Sequence, residues 1–390
     1  MKNFSLAIVF AFTIRTAFSQ DTIQLKDLAV PNSPAFVITD ATPSLIQSPT
    51  TPKSFVLGIA QSFQQSSGGF PQNYSAEFAP YWLMGSLKRD VYSLLGLKTK
   101  RDANNSIISV DGEDPFSGLK FTSVSLAFLN KDLIPDTASV SHKIISLGLH
   151  STIVKIHLRN YAEELNKKLK SWHEAAQSEM SDSLSIELAI AEAQGDSAKI
   201  KKVKDKISTK LKLSTKAVSI TKEINALMEQ KPIFAWEIAT AYASYGINDS
   251  VWKPGRFGIW TTVSSYLPLD LCGDKSVKNY FSLNFSLRYL HDNYQKDAKG
   301  GITKMNNIDV GGKIALEFDK ISIGIESLNR YINGVANSQN RTVGIISYKL
   351  TENIYLNGAF GKNFDSPNRL ISQFGLNWGF GSEKAKLPVQ

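Results

Sequence analysis

The C-terminal run from Leu370 to Phe380 constrains the fold more than any other segment of this sequence. In an extended chain its large apolar residues and its small or polar residues fall on opposite sides: Leu370, Phe374, Leu376, Trp378 and Phe380 against Ile371, Gln373, Gly375, Asn377 and Gly379. Strict alternation of this kind indicates a β-strand. The mostly polar second side favours a strand with lipid on one face and a watery or tightly filled lumen on the other.

Eleven further segments alternate in the same way. The predicted strands are 53–64, 73–85, 119–130, 140–152, 231–245, 255–266, 280–291, 307–318, 320–331, 341–350, 352–361 and 370–380. Each is near the ~9–11 residues that a tilted strand needs to cross a bilayer, and bacterial barrels favour an even count. A soluble β-sandwich also alternates, but its exposed face is polar. The sequence therefore predicts an all-β transmembrane barrel of about 12 antiparallel strands with an inserted α-helical hairpin.

Connection lengths predict the orientation of the barrel, because periplasmic turns are short and outer loops are longer. If the first strand runs outward, the connections at 319 and near 351 are periplasmic, and both are very tight. Two other periplasmic connections, 86–118 and 153–230, are far longer than this rule allows. They distinguish the chain from a minimal barrel.

The N-terminus is typical of a secretory signal peptide over residues 1–19. Lys2 supplies a basic start, Leu6–Ile14 is apolar but too short to span a bilayer, and Ala17 and Ser19 are small residues before a predicted cleavage at Gln20. No later stretch of 18 apolar residues follows, so a closed barrel is the spanning structure open to an exported membrane protein. The sequence thus predicts the outer membrane. The single cysteine, Cys272, rules out an internal disulfide.

Residues 20–52 contain five prolines and many serines and threonines, which predicts extended chain that is mostly not strand. Two placements are open: the segment hangs in the periplasm, or it folds into the barrel mouth as a partial plug. The first is favoured. The remaining boundaries are the first barrel strands at 53–158, the later strands at 231–380 and a tail at 381–390.

Residues 159–230 change character toward helix formers, with glycine nearly absent. Leu165, Leu169 and Trp172 recur at helical spacing, and Gln194–Asp196 breaks the pattern in the middle. The segment is therefore predicted to form a coiled-coil-like α-hairpin with arms of roughly 30 residues, projecting into the periplasm. We expect it to pack on itself, on residues 86–118 or on another chain, because two helices bury little surface alone.

The net charge of +9 comes largely from residues 199–216, which contain eight lysines and one aspartate. The remainder of the mature chain is neutral, which argues against nucleic-acid binding. The lysines scatter around the predicted helix, so an ordinary solvated face is the simpler interpretation, and contact with an acidic protein or anionic lipid is the alternative. The candidates for partner binding are Lys201, Lys202, Lys204, Lys206 and Lys210.

Charged residues also fall on the inward side of the predicted strands. The lumen-lining candidates are Glu77, Glu237, Arg288, Lys313, Glu317 and Glu326. Because both signs occur, a network of ion pairs that fills the lumen is the favoured interpretation. A polar passage whose charges tune selectivity is the alternative.

No motif for a metal, a cofactor or a nucleophile is present, so the sequence predicts neither metal, cofactor nor enzyme. His142 and His150 lie eight residues apart on one inward face. A separation of about 26 Å along the strand is too long to share a metal ion. A barrel-embedded hydrolase is the least favoured functional alternative.

The architecture resembles that of Gram-negative outer-membrane β-barrel proteins. The ending Trp378-Gly379-Phe380 is similar to the aromatic-ended signal that barrel-assembly machinery recognises, although ten residues follow it. The stretches Ser33-Pro34-Ala35-Phe36, Pro49-Thr50-Thr51-Pro52 and Ala79-Pro80-Tyr81-Trp82 resemble an uncharacterised family of Bacteroidota outer-membrane proteins. That resemblance implies no known activity and no functional residues.

The leading functional expectation is a scaffold or partner in an envelope or secretion assembly, acting through the periplasmic hairpin. The alternative is a channel or porin-like passage for a small solute. The expected partners are outer-membrane lipid and an envelope protein that binds residues 159–230.

Overall fold

The computed structural model describes about three-quarters of the chain. The described residues are 22–24, 33–47, 55–62, 73–83, 91–103, 107–131, 142–179, 182–246, 251–269, 279–296, 301–351, 353–364, 370–380 and 384–386. The predicted signal peptide, Cys272 and most of the predicted tail lie outside these ranges, so those predictions are not tested.

The dominant feature is a closed antiparallel barrel of twelve strands. In chain order the strands are β1 (Thr22–Gln24), β2 (Phe55–Ser62), β3 (Asn73–Phe78), β4 (Leu97–Arg101), β5 (Ile107–Glu113), β6 (Ser123–Lys131), β7 (His142–Ile156), β8 (Phe234–Gly246), β9 (Trp252–Leu269), β10 (Asn279–Lys296), β11 (Ile302–Glu317), β12 (Ile321–Ile332), β13 (Gln339–Thr351), β14 (Ile354–Lys362), β15 (Leu370–Phe380) and β16 (Lys384–Lys386). Strands β2, β3 and β6 to β15 form the barrel, and β15 closes it by pairing with β2. The pairs β1–β16 and β4–β5 form two small sheets outside it.

The predicted fold class is confirmed, and each of the twelve predicted strands corresponds to one barrel strand. The closing strand has the predicted bounds, Leu370–Phe380. The prediction for β3 was too long: the strand ends at Phe78, and a 3-10 turn begins at Pro80, whose nitrogen cannot donate to the ladder. Several strands near the middle of the chain, such as β10, extend further than predicted.

Six α-helices accompany the strands within the described residues. They are α1 (Pro34–Val37), α2 (Val91–Leu94), α3 (Tyr161–Glu179), α4 (Asp182–Ala193), α5 (Ser197–Leu213) and α6 (Thr215–Met228). Helices α3 to α6 lie between β7 and β8, where the hairpin was predicted, but each predicted arm is divided into two helices. The second arm divides at Ser214, whose side chain caps α6 by accepting a hydrogen bond from the Ala217 amide.

No helix in the described ranges combines the length and the apolar character needed to cross a membrane.

Helices α3 to α6 share one hydrophobic core with the connection between β3 and β6. Its most buried members include Leu165, Trp172 and Ile224 from the helices and Val91 and Leu95 from the connection. We call this unit, residues 79–122 and 157–233, the helical domain. The two long connections thus bury each other, one of the arrangements expected from the sequence. We name the adjacent end of the barrel the helical end and the opposite one the loop end.

The outer face of the barrel is largely apolar in the middle of its strands. Aliphatic side chains such as Leu147, Leu287, Ile314 and Ile325 point outward from the middle of the strands. Exposed aromatic residues at the helical end are Phe55, Phe234, Trp236, Phe318, Tyr348, Trp378 and Phe380, and those at the loop end are Tyr74, Phe128, Tyr242, Phe257, Tyr289, Tyr331 and Phe360. An apolar band between two aromatic rings is typical of barrels that span a bilayer.

Residues 33–47, which include α1, lie inside the barrel, and every one of them is buried. The favoured expectation that residues 20–52 hang in the periplasm is therefore wrong for this part of the segment. Residues 33–47 are not strand, as predicted, but Pro34–Val37 is helical and not extended, since proline is compatible with the first turn of a helix. We call residues 33–47 the plug.

Candidate functional site: the plugged lumen

The base of the plug lies against β6 and β7, where a wall glycine makes room for it. A side chain at Gly148 would meet Pro34 Cβ at 2.7 Å and the Ala35 nitrogen at 2.9 Å. The Ala35 amide donates to Ser125 Oγ at 3.1 Å, and Ser146 Oγ donates to the Ala35 carbonyl. Wall and plug are therefore matched in shape and in hydrogen bonding at this level.

The tip of the plug is Asp40, which is held by three arginines of the wall. Its carboxylate lies 2.8 Å from Arg288, 3.1 Å from Arg256 and 3.1 Å from Arg330. Asp40 has a φ of +52°, a left-handed conformation that aspartate adopts more readily than most residues. Arg288 and Arg256 also donate to the carbonyls of Val37 and Ile38, both at 3.0 Å.

Two further aspartates of the wall balance the arginines. Arg288 and Arg330 both pair with Asp309, at 2.6 and 2.8 Å, and Arg256 pairs with Asp292 at 2.6 Å. Three guanidinium groups thus face three carboxylates with Asp40 included. Because all six side chains are at most 10% exposed, loss of one partner would leave a buried charge uncompensated.

The second arm of the plug is held by Glu326 and Arg341. Glu326 accepts hydrogen bonds from the Leu45 and Ile46 amides at 3.1 Å and from Ser44 Oγ at 2.7 Å. Arg341 pairs with Glu326 at 3.3 Å and donates to the Pro43 carbonyl at 2.7 Å. This wall pair therefore satisfies backbone groups that the irregular plug cannot satisfy itself.

A third charged cluster lies toward the helical end from the base of the plug. His150 is 3.3 Å from Glu237 and 4.0 Å from Glu77, and all three side chains are fully buried. Ser123 donates to Glu77 and Thr152 donates to Glu237. In these contacts both hydroxyls donate to carboxylates rather than to His150.

The six predicted lumen residues all lie on inward-facing strand positions, but in different surroundings. Arg288 and Glu326 contact the plug, and Glu77 and Glu237 belong to the His150 cluster. Glu317 pairs with Lys231 near the helical end, and Lys313 stands opposite Glu326 in the strand register. The ion-pair interpretation of the inward charges fits these contacts, with the plug as an additional partner.

The five predicted partner-binding lysines all lie on α5. Lys204 pairs with Glu192 at 3.4 Å and Lys206 with Glu187 at 3.1 Å, and the side chains of Lys201, Lys202, Lys206 and Lys210 are exposed. Exposed pairs of this kind contribute little stability. Their role in binding a partner stays a prediction.

Sequence reasoning missed most of the residues that hold the plug. Arg256, Arg330 and Arg341 lie toward the loop end of their strands, where the alternation pattern is weak. Asp309 falls in the predicted strand 307–318 but was not among the lumen-lining candidates. Asp40 carries no periodic signal, since it lies in a turn outside any strand.

The two connections that make up the helical domain are joined to each other at His157, which directly follows β7. Glu113 of β5 accepts from the His157 amide at 2.9 Å and contacts its ring nitrogen, and the ring stacks on Tyr161 at 4.1 Å. Burial lowers the pKa of His157, and the contact with Glu113 offsets this only in part. Burial likewise raises the pKa of the Tyr161 hydroxyl.

Within the described ranges, no group of three or more His, Cys, Asp or Glu side chains is arranged to hold a metal ion. The chemistry that the lumen offers is ion pairing and hydrogen bonding.

No protein-family model and no curated protein matches this chain. Among solved structures it is similar to the NanC porin, with a TM-score of 0.31, 9% identity, and coverage of 84% of this chain and 98% of that one. It is also similar to the transport unit of the autotransporter AIDA-I from Escherichia coli (TM-score 0.30, 8% identity, 84% and 89% covered). A third is the Ralstonia pickettii toluene transporter TbuX (TM-score 0.21, 10% identity, 88% and 93% covered). Likeness at this level concerns barrel architecture and assigns no activity, and the Bacteroidota resemblance stays a prediction.

Proposed function

We propose that this chain is an outer-membrane passage for a small polar solute that rests in a closed state, with residues 33–47 as its gate. The membrane location is supported by the apolar outer band and its two aromatic rings. The passage is supported by one observation above the others. The lumen is occupied by an N-terminal segment, residues 33–47, and not only by side chains of the wall. Noncovalent contacts with the wall hold this segment in place.

The contacts at Asp40 support a gate that can open. The plug contributes one carboxylate to the cluster, whereas Asp309 and Asp292 remain with the arginines when the plug leaves. The opened lumen would then hold three arginines beside two aspartates, an excess of one positive charge exposed to water, together with polar side chains such as Asn284 and Ser286. A wall of this composition suits water and small polar solutes.

Single-channel recording in planar bilayers tests the proposal. We expect the full chain to be closed for most of the time, with brief openings, and the variant lacking residues 33–47 to conduct continuously at the same unit conductance. Asp40→Asn weakens the contact with three arginines, so its openings should be more frequent. Asp196→Asn is the matched control, because Asp196 caps α5 far from the lumen.

A full chain that never opens, beside a folded deletion variant that conducts, would contradict the passage. These recordings do not test the scaffold hypothesis, which stays a prediction. It would gain support if a stable envelope partner co-purified with the full chain, was lost when residues 160–229 were deleted, and no conductance was seen.

A further inference from the structure

Four exposed apolar residues lie where the helical domain meets the barrel. Phe116 and Leu119, between β5 and β6, are 57% and 44% exposed, and Ile156 and Leu158, at the end of β7, are 39% and 50% exposed. They differ from the surface of the helices, where lysines and glutamates predominate. Exposed apolar residues grouped in this way mark a contact surface.

Hydrogen bonds place the segment with Phe116 beside β7, in line with the barrel wall. The Lys155 amide donates to the Pro115 carbonyl at 2.8 Å, and Thr122 Oγ1 lies 2.8 Å from Ser151 Oγ. Residues 115–122 therefore run along the part of β7 that extends beyond the first residue of β6. The apolar outer face of β7, with Leu147, Leu149 and Ile156, continues onto this segment.

The position of Phe116 also coincides with a gap in the aromatic ring at the helical end. The flanking strands β3 and β8 carry Phe78, Phe234 and Trp236 near that end. At that end β6 begins with Ser-Val-Ser and β7 ends with Val-Lys-Ile, and neither stretch contains an aromatic residue. Phe116 stands in the sector that lacks one.

Basic residues accompany the apolar ones. Arg159 follows Leu158 directly and is exposed. Lys120 lies within the same turn and donates to Ser93, which ties the turn to the rest of the helical domain. Apolar and aromatic residues beside lysine and arginine are typical of segments in the interfacial layer of a bilayer.

We propose that the turn 115–120, with Ile156 and Leu158, inserts into the lipid leaflet at the helical end, so that the helical domain rests on the membrane surface. The occupant of this surface is phospholipid: acyl chains against Phe116 and Leu119, and headgroup phosphate near Arg159. The inference rests on the membrane location in the proposed function. The contact would fix the position of the helical domain relative to the bilayer.

Nitroxide labelling of the full chain tests the lipid contact. Because Cys272 is the single cysteine, a Cys272→Ser background allows one label at a time. Phe116→Cys and Leu119→Cys report on the turn, Ile323→Cys on the outward face of β12, and Ile108→Cys on the β4–β5 sheet, where Ile108 is 68% exposed. In liposomes of phosphatidylethanolamine and phosphatidylglycerol, collision rates with oxygen and with a water-soluble nickel chelate are measured.

We expect labels 116 and 119 to resemble label 323, with frequent oxygen collisions and few nickel collisions, and label 108 to show the reverse. Labels 116 and 119 accessible to nickel beside a protected label 323 would overturn the lipid contact and leave the membrane location intact. If label 323 is also accessible, the membrane location fails instead. Labels that nickel reaches in liposomes but not in native envelopes would indicate a protein occupant and overturn the proposal.

Discussion

Asp40 Oδ1 of the plug lies 2.8 Å from Arg288 Nη2 of β10, although the two residues are 248 positions apart in the chain. Arg288 simultaneously binds Asp309 of β11. One wall arginine therefore links the removable plug to the permanent barrel. This contact makes the closed state dependent on charge, and substitutions on the two sides of it should have different consequences.

On the wall side, Asp309→Asn should destabilise the barrel itself. Arg288 and Arg330 would both lose their main carboxylate in a site where Asp309 is 0% exposed. Breaking a buried pair of this kind costs about 3–5 kcal/mol. Equilibrium unfolding in urea, from lipid vesicles, measures the loss. Asp319→Asn in the exposed turn between β11 and β12 is the control and should change stability by less than about 0.5 kcal/mol.

The barrel could be predicted from the sequence because its signal is local. In β15 and β10, residues two positions apart share one face of the strand, so a short stretch of sequence is enough to recognise the pattern. Twelve segments with this pattern then indicate a closed barrel. The plug gives no such signal. Its residues are held by contacts such as that of Leu45 with Glu326, 281 positions away. No periodic pattern within 33–47 predicts these contacts. The proline content indicated only that the segment is mostly not β-strand.

The helical domain was predictable in composition but not in detail. The spacing of Leu165, Leu169 and Trp172 correctly marks one buried helix face. The partner of that face, the connection with Val91 and Leu95, has no helical period of its own, since it consists of a short helix and a small sheet. Only the fold brings the two connections together at one end of the barrel.

The core of the helical domain should be sensitive to truncation. Leu165 is 0% exposed, so Leu165→Ala removes packing and leaves a cavity, at a cost of about 2–5 kcal/mol. Ile186→Ala on α4 is the control, because Ile186 is 59% exposed. Limited proteolysis of the two variants in vesicles should cut residues 157–233 far faster in Leu165→Ala. Equal rates would mean that the domain is not held by this core.

The contact between the two connections of the helical domain, made by His157 and Glu113, should weaken in acid. Because burial holds the pKa of His157 below its ordinary value of about 6.5, protonation favours the detached or unfolded form. The contribution is therefore fully present above about pH 6.5 and is lost as the pH falls through the lowered pKa. Hydrogen exchange of α3 amides, corrected for intrinsic rates, should show protection that decreases in this window.

The variant His157→Gln separates this titration from others. Glutamine keeps a polar group near Glu113 but does not titrate, so α3 protection should vary much less with pH. If the variant retained the wild-type pH dependence, another group would be responsible, and the role assigned to His157 would be wrong.

The fit between wall and plug at Gly148 gives the sharpest test of gating by shape rather than by charge. A Cβ at this position would lie 2.7 Å from Pro34 Cβ and 2.9 Å from the Ala35 nitrogen, closer than real Cβ atoms approach such neighbours. Valine suits a β-strand, so Gly148→Val should leave the barrel intact and displace the base of the plug. Displacement also breaks the Ala35 hydrogen bonds with Ser125 and Ser146. In planar bilayers the variant should open more often than wild type, with the same unit conductance.

Gly344→Val on the outward face of β13 is the matched control, since its Cβ meets only the Phe360 carbonyl, at 3.7 Å. A Gly148→Val barrel that is folded but as silent as the control would show that the plug does not yield at its base, and would place any opening movement at the Asp40 tip instead.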